Sequence, residues 1–467
     1  LTSEGPAPFS YAGIRAVVMG LGLNGGGLES ARFLASRGAE VTVTDLRDEG
    51  VLAPSIAALA GLPIRYVLGR HDPADFERAD LVVKNPAVNP DSPYLRRARR
   101  VETDLSLFLA ACPARILAVT GSKGKSSTAS ALYWALGRLR AGGDGAVYLG
   151  GNITVSPLSF LSRLTAADDV VLELSSWQLG DLKGRGLLKP RAALLTAILP
   201  DHLDRYGSME AYVADKRLIY ADQDERDATV VGNDPWGASF ARETKARPLV
   251  YADAPLAEGV AGGWLTGPGG PAVLRLPSGG LEEVVGARPL VPGIHQKRNL
   301  LAAALALADL GFAPPDIREA LDSFGGIEHR LEFFLEKRGL RFYNDSAATI
   351  PEAAAAAVAA FEKPPVLVCG GTDKALDFTP LARAAAGAKA VILLAGSGSD
   401  KLVPLLKAAN LAYRGPFDRL DDAVAAALEA ATGGDPVVLS PGCTSFGMFL
   451  NEFDRGRRFK EAAARLA

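Results

Sequence analysis

An apolar run, Arg115-Ile-Leu-Ala-Val-Thr120, leads directly into Gly121-Ser-Lys-Gly-Lys-Ser-Ser127, and a helical pattern then continues through Leu139. Strand, glycine loop and helix in that order constrain this chain more than any other feature, because they are the setting of a phosphate-binding loop. Glycines let several backbone N–H groups turn toward one anion, and the helix that opens there adds its positive end. Lys125 is placed to reach β- and γ-phosphates as a point charge, and Ser126 to offer its hydroxyl to Mg²⁺. The full form of such a loop has a glycine five positions before Gly124, where this chain has Val119. A plain glycine turn with a solvated lysine is therefore the competing reading. The flanking strand and helix favour phosphate.

A second loop of this kind lies upstream. Ile14–Met19 reads as a strand, followed by Gly20-Leu-Gly-Leu-Asn-Gly25, a helical pattern to Ser36 and a second strand, Val41–Thr44, that ends at Asp45. Gly-x-Gly-x-x-Gly with an acid twenty residues after its last glycine is the dinucleotide fingerprint: a tight turn, close backbone approach to a diphosphate, and a helix N-terminus. It holds a diphosphate without saying which; NAD, FAD or a UDP-sugar would all suit. Leu81–Pro86 is a further strand, and its Pro-rich sequel, Asn85–Pro90, falls where open α/β sheets place ligands.

Beyond the central loop, Gly150-Gly-Asn-Ile153 precedes a strand, Val170–Leu174, that carries Glu173 inside an apolar run. A buried carboxylate needs a partner, and Mg²⁺ between Glu173 and Ser126 would be one; a local hydrogen bond or ion pair is the plainer reading. Ala192–Leu199 is expected as one buried strand, with Asp201, His202, Asp204 and Arg205 crowding its end. The helix expected over Met209–Ala221 carries Lys216, which local pattern alone reads as a solvated lysine. Residues 247–293 read as a β-rich insertion, and Asn299 lies at the start of an Ala/Leu-rich helix. A third α/β unit begins near residue 327, with polar loops after Leu340–Tyr343, Pro365–Cys369, Ala390–Leu394 and Pro436–Ser440. The fold class is thus α/β in three domains. Residues 1–103 are Rossmann-like, 104–326 are P-loop ATPase-like with the β-rich insertion, and 327–467 are again Rossmann-like.

Composition narrows the function classes. Apolar residues make up 48% and charged ones 22% of 467, so large cores are available. A net charge of −2 without a long basic run argues against nucleic acid as a partner. Three widely spaced cysteines suggest neither a disulfide framework nor a metal spacing and fit a reducing cytoplasm. No secretory leader pattern and no uncharged apolar run of about 18 residues is present, so a cytoplasmic protein without a membrane partner is expected.

The ordered set Gly121–Ser127, Gly150–Ile153, Glu173-Leu-Ser-Ser-Trp-Gln-Leu179, Asp201-His-Leu-Asp-Arg-Tyr206, His329-Arg330, Asn344-Asp-Ser346 and Ser440-Pro-Gly-Cys-Thr-Ser445 resembles the Mur ligases along the whole chain, most closely their MurD type. The resemblance implies a monomeric ATP- and Mg²⁺-dependent amide ligase of peptidoglycan precursor synthesis. Such an enzyme phosphorylates the alanine carboxylate of UDP-N-acetylmuramoyl-L-alanine and lets glutamate displace the phosphate. It also implies roles. Lys125, Glu173, His202, Lys216 and Asn152 would be catalytic; Ser126, Glu173, His202 and a carbamylated Lys216 would hold metal. ATP would contact Gly121, Ser122, Lys123, Gly124, Lys125, Ser126, Ser127, Asn299, Arg330 and Asp345. The UDP-sugar would contact Gly22, Leu23, Asn24, Asp45, Arg47 and Asn85. Glutamate would contact Thr349, Lys374, Ser445 and Phe446. The third domain would close on the second when nucleotide binds. Ala347 and Ile350 depart from the family's usual lysine and asparagine beside the glutamate pocket, and this keeps open an L-glutamate ligase, another Mur ligase or a folylpolyglutamate-synthase-like activity. A nicotinamide dehydrogenase, from the first fingerprint alone, leaves Lys125, Glu173 and His202 without a task.

Overall fold

In a computed structural model that describes residues 10–467 apart from 24, 154 and 268, the described residues form three sheets with helices between their strands. Chain contacts divide them into two compact units. The first holds the described residues up to Trp264 together with Val273–Val284 and Asn299–Ile317; the second holds Leu265–Ala272, Val285–Arg298 and Arg318–Ala467.

The first unit contains two sheets. One is five-stranded, from β1 (Arg15–Met19), β2 (Glu40–Asp45), β3 (Ile64–Leu68), β4 (Leu81–Lys84) and β5 (Val101–Glu102), in the order β3-β2-β1-β4-β5. All its pairings are parallel. The order reverses between β1 and β4, and such a switch point opens a crevice at the carboxyl ends of the strands. The expected Gly-rich turn lies on one side of that crevice and Asn85 on the other.

The other sheet has nine strands, from β6 (Arg115–Thr120), β7 (Val147–Gly151), β8 (Asp169–Glu173), β9 (Ala192–Leu195), β10 (Ala228–Gly232), β11 (Arg247–Ala252), β12 (Gly262–Leu265), β13 (Ala272–Arg275) and β14 (Leu281–Val285). Their order is β14-β13-β12-β11-β10-β9-β6-β8-β7. The β-rich stretch thus continues the sheet from β10 outward, beginning with parallel pairings of β11 and β12. Leu117, Ala118, Val119, Val170, Val171 and Leu172 are fully buried. Parallel strands are covered on both faces by their crossover helices, and this is why they read as unbroken apolar runs. The helix Lys125–Leu139 buries Thr128, Ala129, Ala131, Leu132, Ala135 and Leu136, a stripe at helical spacing. Two ion pairs tie this sheet to the first, Lys84–Asp181 at 2.6 Å and Arg185–Glu102 at 2.5 Å.

The second unit contains a six-stranded sheet of β15 (Glu332–Lys337), β16 (Leu340–Asn344), β17 (Val366–Gly370), β18 (Ala390–Leu394), β19 (Arg414–Phe417) and β20 (Pro436–Leu439), ordered β15-β16-β20-β17-β18-β19. β15 pairs antiparallel with β16, and the other neighbours in this sheet pair parallel.

Three local expectations are corrected. The strand expected to reach Leu199 ends at Leu195, because the backbone beyond it turns to bond the glycine loop: Ser122 N–H donates to Ala197 O at 2.8 Å. The helix expected to reach Ala221 ends at Arg217 and continues as turns. Lys216 is not solvated but 1% exposed. Among the described residues no helix is long and apolar enough to cross a membrane.

Candidate active site

The loop after β6 is shaped by glycines where side chains have no room. A Cβ on Gly121, at φ +146°, would lie 1.9 Å from Thr196 Oγ1; one on Gly124, at φ +92°, would lie 2.5 Å from Asn299 Oδ1. Thr196 is itself fixed, its hydroxyl donating to Thr120 O at 3.1 Å. Gly121→Ala should therefore cost about 2–4 kcal/mol of stability, through both the contact and the backbone conformation. Urea unfolding checks this, and an unchanged midpoint would show that the loop yields freely.

Around this loop the chain gathers its charges. Lys125 opens the helix and folds back, its Nζ donating to Gly121 O at 3.0 Å and Ser122 O at 3.1 Å. Lys216 reaches the same carbonyl from the helix Met209–Arg217, Nζ to Gly121 O at 2.8 Å, and lies over the Tyr212 ring at 4.5 Å. Two ammonium groups thus meet at one oxygen. Burial pushes the Lys216 amine down to about 7; the Lys125 charge adds to this, while Asp201 and Asp215 oppose it. Lys125 is lowered as well, by burial first, against the pull of Glu173 and Asp201.

Glu173 ends β8 and is 1% exposed. Its Oε1 accepts from Asn152 Nδ2 at 3.0 Å, and Asn152 N–H donates to Glu173 O at 2.8 Å. Oε2 is buried without a partner. An orphaned carboxylate oxygen beside a phosphate-type loop is what a divalent cation would complete, so the donor set of Glu173, Ser126 and His202 fits such an ion. His202 takes the left-handed conformation, φ +52°, and its ring packs on Trp177 at 5.1 Å between centroids. Arg205 lies over the same indole at 4.2 Å.

One cavity of about 380 Å³ is lined by Lys125, Asn152, His202 and Lys216 together with Asp104, Ser156, Trp177 and Tyr212. A second cavity, of about 620 Å³, follows the switch point of the five-stranded sheet and is lined by Gly22, Asp45, Arg47 and His71. Asn85 lines both. The Asp45 carboxylate accepts from Gly22 N–H at 3.1 Å and Arg47 N–H at 2.9 Å, and so holds the Gly-rich turn in shape.

The expected residues fare unequally. Lys125, Asn152, His202 and Lys216 share a cavity, as do Gly22, Asp45 and Arg47; Leu23 is exposed on its loop, and Asn24 lies outside the described residues. Ser122 uses its hydroxyl within the protein, donating to Leu199 O at 2.8 Å and meeting Tyr212 Oη at 3.0 Å. Lys123 is exposed and bridges to Ala197, Ser127 is half-buried on the helix, and Asn299 packs against Gly124. Sequence reading passed over Asp104, Ser156 and Tyr212. Only Tyr212 left a local trace, one helical turn before Lys216.

In the second unit the remaining residues follow the carboxyl ends of β16, β17 and β20. Asp345 is buried, accepting from Leu331 N–H at 3.0 Å and Ser440 Oγ at 2.6 Å, and burial raises its carboxyl to about 7. Arg330 beside it is exposed. Thr372 and Thr444 form a bridge, and the Thr372 hydroxyl donates to Phe446 O, which joins the loop of Lys374 to that of Ser445 and Phe446. Gly442 N–H donates to Ala348 O at 2.9 Å and joins the loop of Thr349. Lys374 and Phe446 are exposed; Ser445 is buried.

Comparison with known proteins gives three successive family matches: the Mur ligase MurD-like N-terminal domain over residues 14–105, the Mur ligase middle domain over 119–307, and the Mur ligase glutamate ligase domain over 329–443. A UDP-N-acetylmuramoylalanine–D-glutamate ligase of Roseiflexus sp. is 45% identical over 465 residues, spanning 96% of this chain and 98% of its own. The protein of that name from Treponema pallidum is 41% identical over 530 residues, spanning 96% and 97%. Among solved structures, UDP-N-acetylmuramate–alanine ligase MurC from Thermotoga maritima is 19% identical with a TM-score of 0.56, covering 97% of this chain and 100% of its own; that likeness is one of fold.

Proposed function

This chain belongs to the Mur ligase family, and from that premise we propose that it joins D-glutamate to the alanine carboxyl of UDP-N-acetylmuramoyl-L-alanine at the expense of ATP. The observation that carries the reading is the convergence of Lys125 and Lys216 on the glycine loop after β6, in a cavity that shares Asn85 with the diphosphate-type crevice of the first sheet. The γ-phosphoryl group passes to the alanine carboxylate, giving acyl phosphate and ADP. The glutamate amine then attacks the acyl carbon, loses a proton, and phosphate leaves as the amide forms. Polyphosphate and carboxylate repel one another, so positioned cations are what this chemistry needs most. Lys125 takes phosphate charge from the loop. Ser126, Glu173 and His202 would hold Mg²⁺, which supplies further charge neutralisation when bound. Asn152 orients Glu173. Lys216 gains a carboxylate by carbamylation.

Residues 1–103 bind the UDP-sugar, 104–326 bind ATP, and 327–467 bind the amino acid. In the last, Lys374 meets a glutamate carboxylate with Thr349, Ser445 and Phe446 around it; Asn299 of the middle segment, with Arg330 and Asp345 of the last, serves ATP. Phosphate release from ATP, Mg²⁺ and UDP-N-acetylmuramoyl-L-alanine, with D- and L-glutamate supplied separately, tests the reading. Release with D-glutamate alone is expected. Release with L-glutamate alone would make Ala347 and Ile350 the first positions to exchange, and no release with either would overturn glutamate as the acceptor.

A further inference from the structure

Three buried polar atoms that line the 380 Å³ cavity have no hydrogen-bond partner: Asp104 Oδ1, Ser156 Oγ and Trp177 Nε1. Elsewhere among the described residues most atoms in this condition belong to side chains already in an ion pair, such as Asp75 with Arg65 and Asp435 with Lys363. Asp104 and Ser156 are in no ion pair, at 7% and 5% exposure. Buried polar groups normally find a partner, and side chains left without one around a cavity mark where a ligand's own polar groups belong.

The two come from different sheets. Asp104 is the first residue of the helix Asp104–Ala111, just after β5, and its Oδ2 lies 3.4 Å from where a Cβ of Gly26 would be, at the start of the helix that follows the Gly-rich turn. Ser156 follows β7, beyond Asn152. The pair therefore sits between the crevice of the first sheet and the phosphate loop of the second. Burial raises the Asp104 carboxyl, opposed first by the Leu105 N–H and then by the Ser156 hydroxyl, while Oδ1 itself is left without a partner. The carboxyl presents its unpaired Oδ1, and the hydroxyl beside it donates or accepts a hydrogen bond. Such a pair suits a neutral ligand group and not a phosphate, whose charge the lysines of the loop already answer.

We propose that Asp104 and Ser156 form a specificity subsite for the sugar of the nucleotide-sugar substrate, taking one of its hydroxyl or acetamido groups. The subsite rests on the function proposed above. It separates recognition of the sugar from recognition of the nucleotide.

Calorimetric titration with UDP and with UDP-N-acetylmuramoyl-L-alanine, in the absence of ATP, tests it. Ser156→Ala should weaken the sugar nucleotide about tenfold, the loss of one hydrogen bond, and leave UDP within about twofold. Asp104→Leu should weaken it further, whereas Asp104→Asn, which keeps a carbonyl oxygen at the same place, should hold most of the affinity. In steady state the KM for the sugar nucleotide should rise by the same factors with the KM for ATP unmoved. Equal affinities in the wild type, Ser156→Ala and Asp104→Asn, with Asp104→Leu also unaffected, would overturn the subsite alone. A wild type that binds UDP but not the sugar nucleotide would overturn the functional reading and the subsite with it.

Discussion

Lys125→Met should lower kcat/KM for glutamate-dependent phosphate release by about 10³-fold, because it removes a positioned cation from a site where charge develops. The lysine is partly desolvated and held by two carbonyls of its own loop, Gly121 O and Ser122 O. Those carbonyls are neutral acceptors, so an incoming phosphate competes with them on favourable terms. Methionine keeps the length and most of the volume, which confines the change to charge and two hydrogen bonds. The fold should therefore lose no more than about 2–3 kcal/mol. Stopped phosphate-release assays together with urea unfolding of the same preparation separate the two effects. Activity within tenfold of wild type in a folded variant would remove Lys125 from the reaction.

The fold was legible where burial is two-sided. β6 and β9 are continuous apolar runs because helices cover both faces, and glycines marked the loops at their ends. The missed strands are weaker in pattern for physical reasons. β7 is half-buried at an edge of its sheet and ends in Gly150 and Gly151; β19 is an edge strand containing Gly415 and Pro416; β15 is an edge strand whose three apolar residues, Phe333, Phe334 and Leu335, are flanked by charges without period-two alternation. Residues 196–199 misled in the opposite direction. They are apolar enough for a strand, yet their backbone serves the glycine loop. For the candidate site, motif spacing located the loop and Glu173 but not the environment that gives them chemistry. Nothing local tells that Lys216 points at Gly121 O, ninety-five residues away. Asp104 and Ser156 follow strands of different sheets and share no motif, so only their common cavity joins them.

Lys216 gives the second large effect, and its pH dependence separates it from a structural lysine. The folded amine titrates at about 7, against about 10.4 in an unfolded chain. Between those values the unfolded chain binds a proton that the folded chain lacks, so stability from this group rises with pH across the window and is lowest below about 7, where the fold must bury an ammonium beside Lys125. In carbon-dioxide-depleted buffer the wild type should gain up to about 1.4 kcal/mol per pH unit there relative to Lys216→Met. The variant should be at least as stable as wild type near neutrality. Its activity should nonetheless fall about 10³-fold, since a methionine cannot take up carbon dioxide and provides no carboxylate for a cation. The same depression of the amine is what makes carbamylation feasible near pH 7: the neutral amine attacks carbon dioxide, a C–N bond forms, and one proton is released. Activity restored to the wild type by added bicarbonate, with none restored to the variant, would tie the two observations together. Parallel stability curves for wild type and variant from pH 7 to 10 would show that the lysine remains charged in the fold, and the carbamate assignment would fall with them.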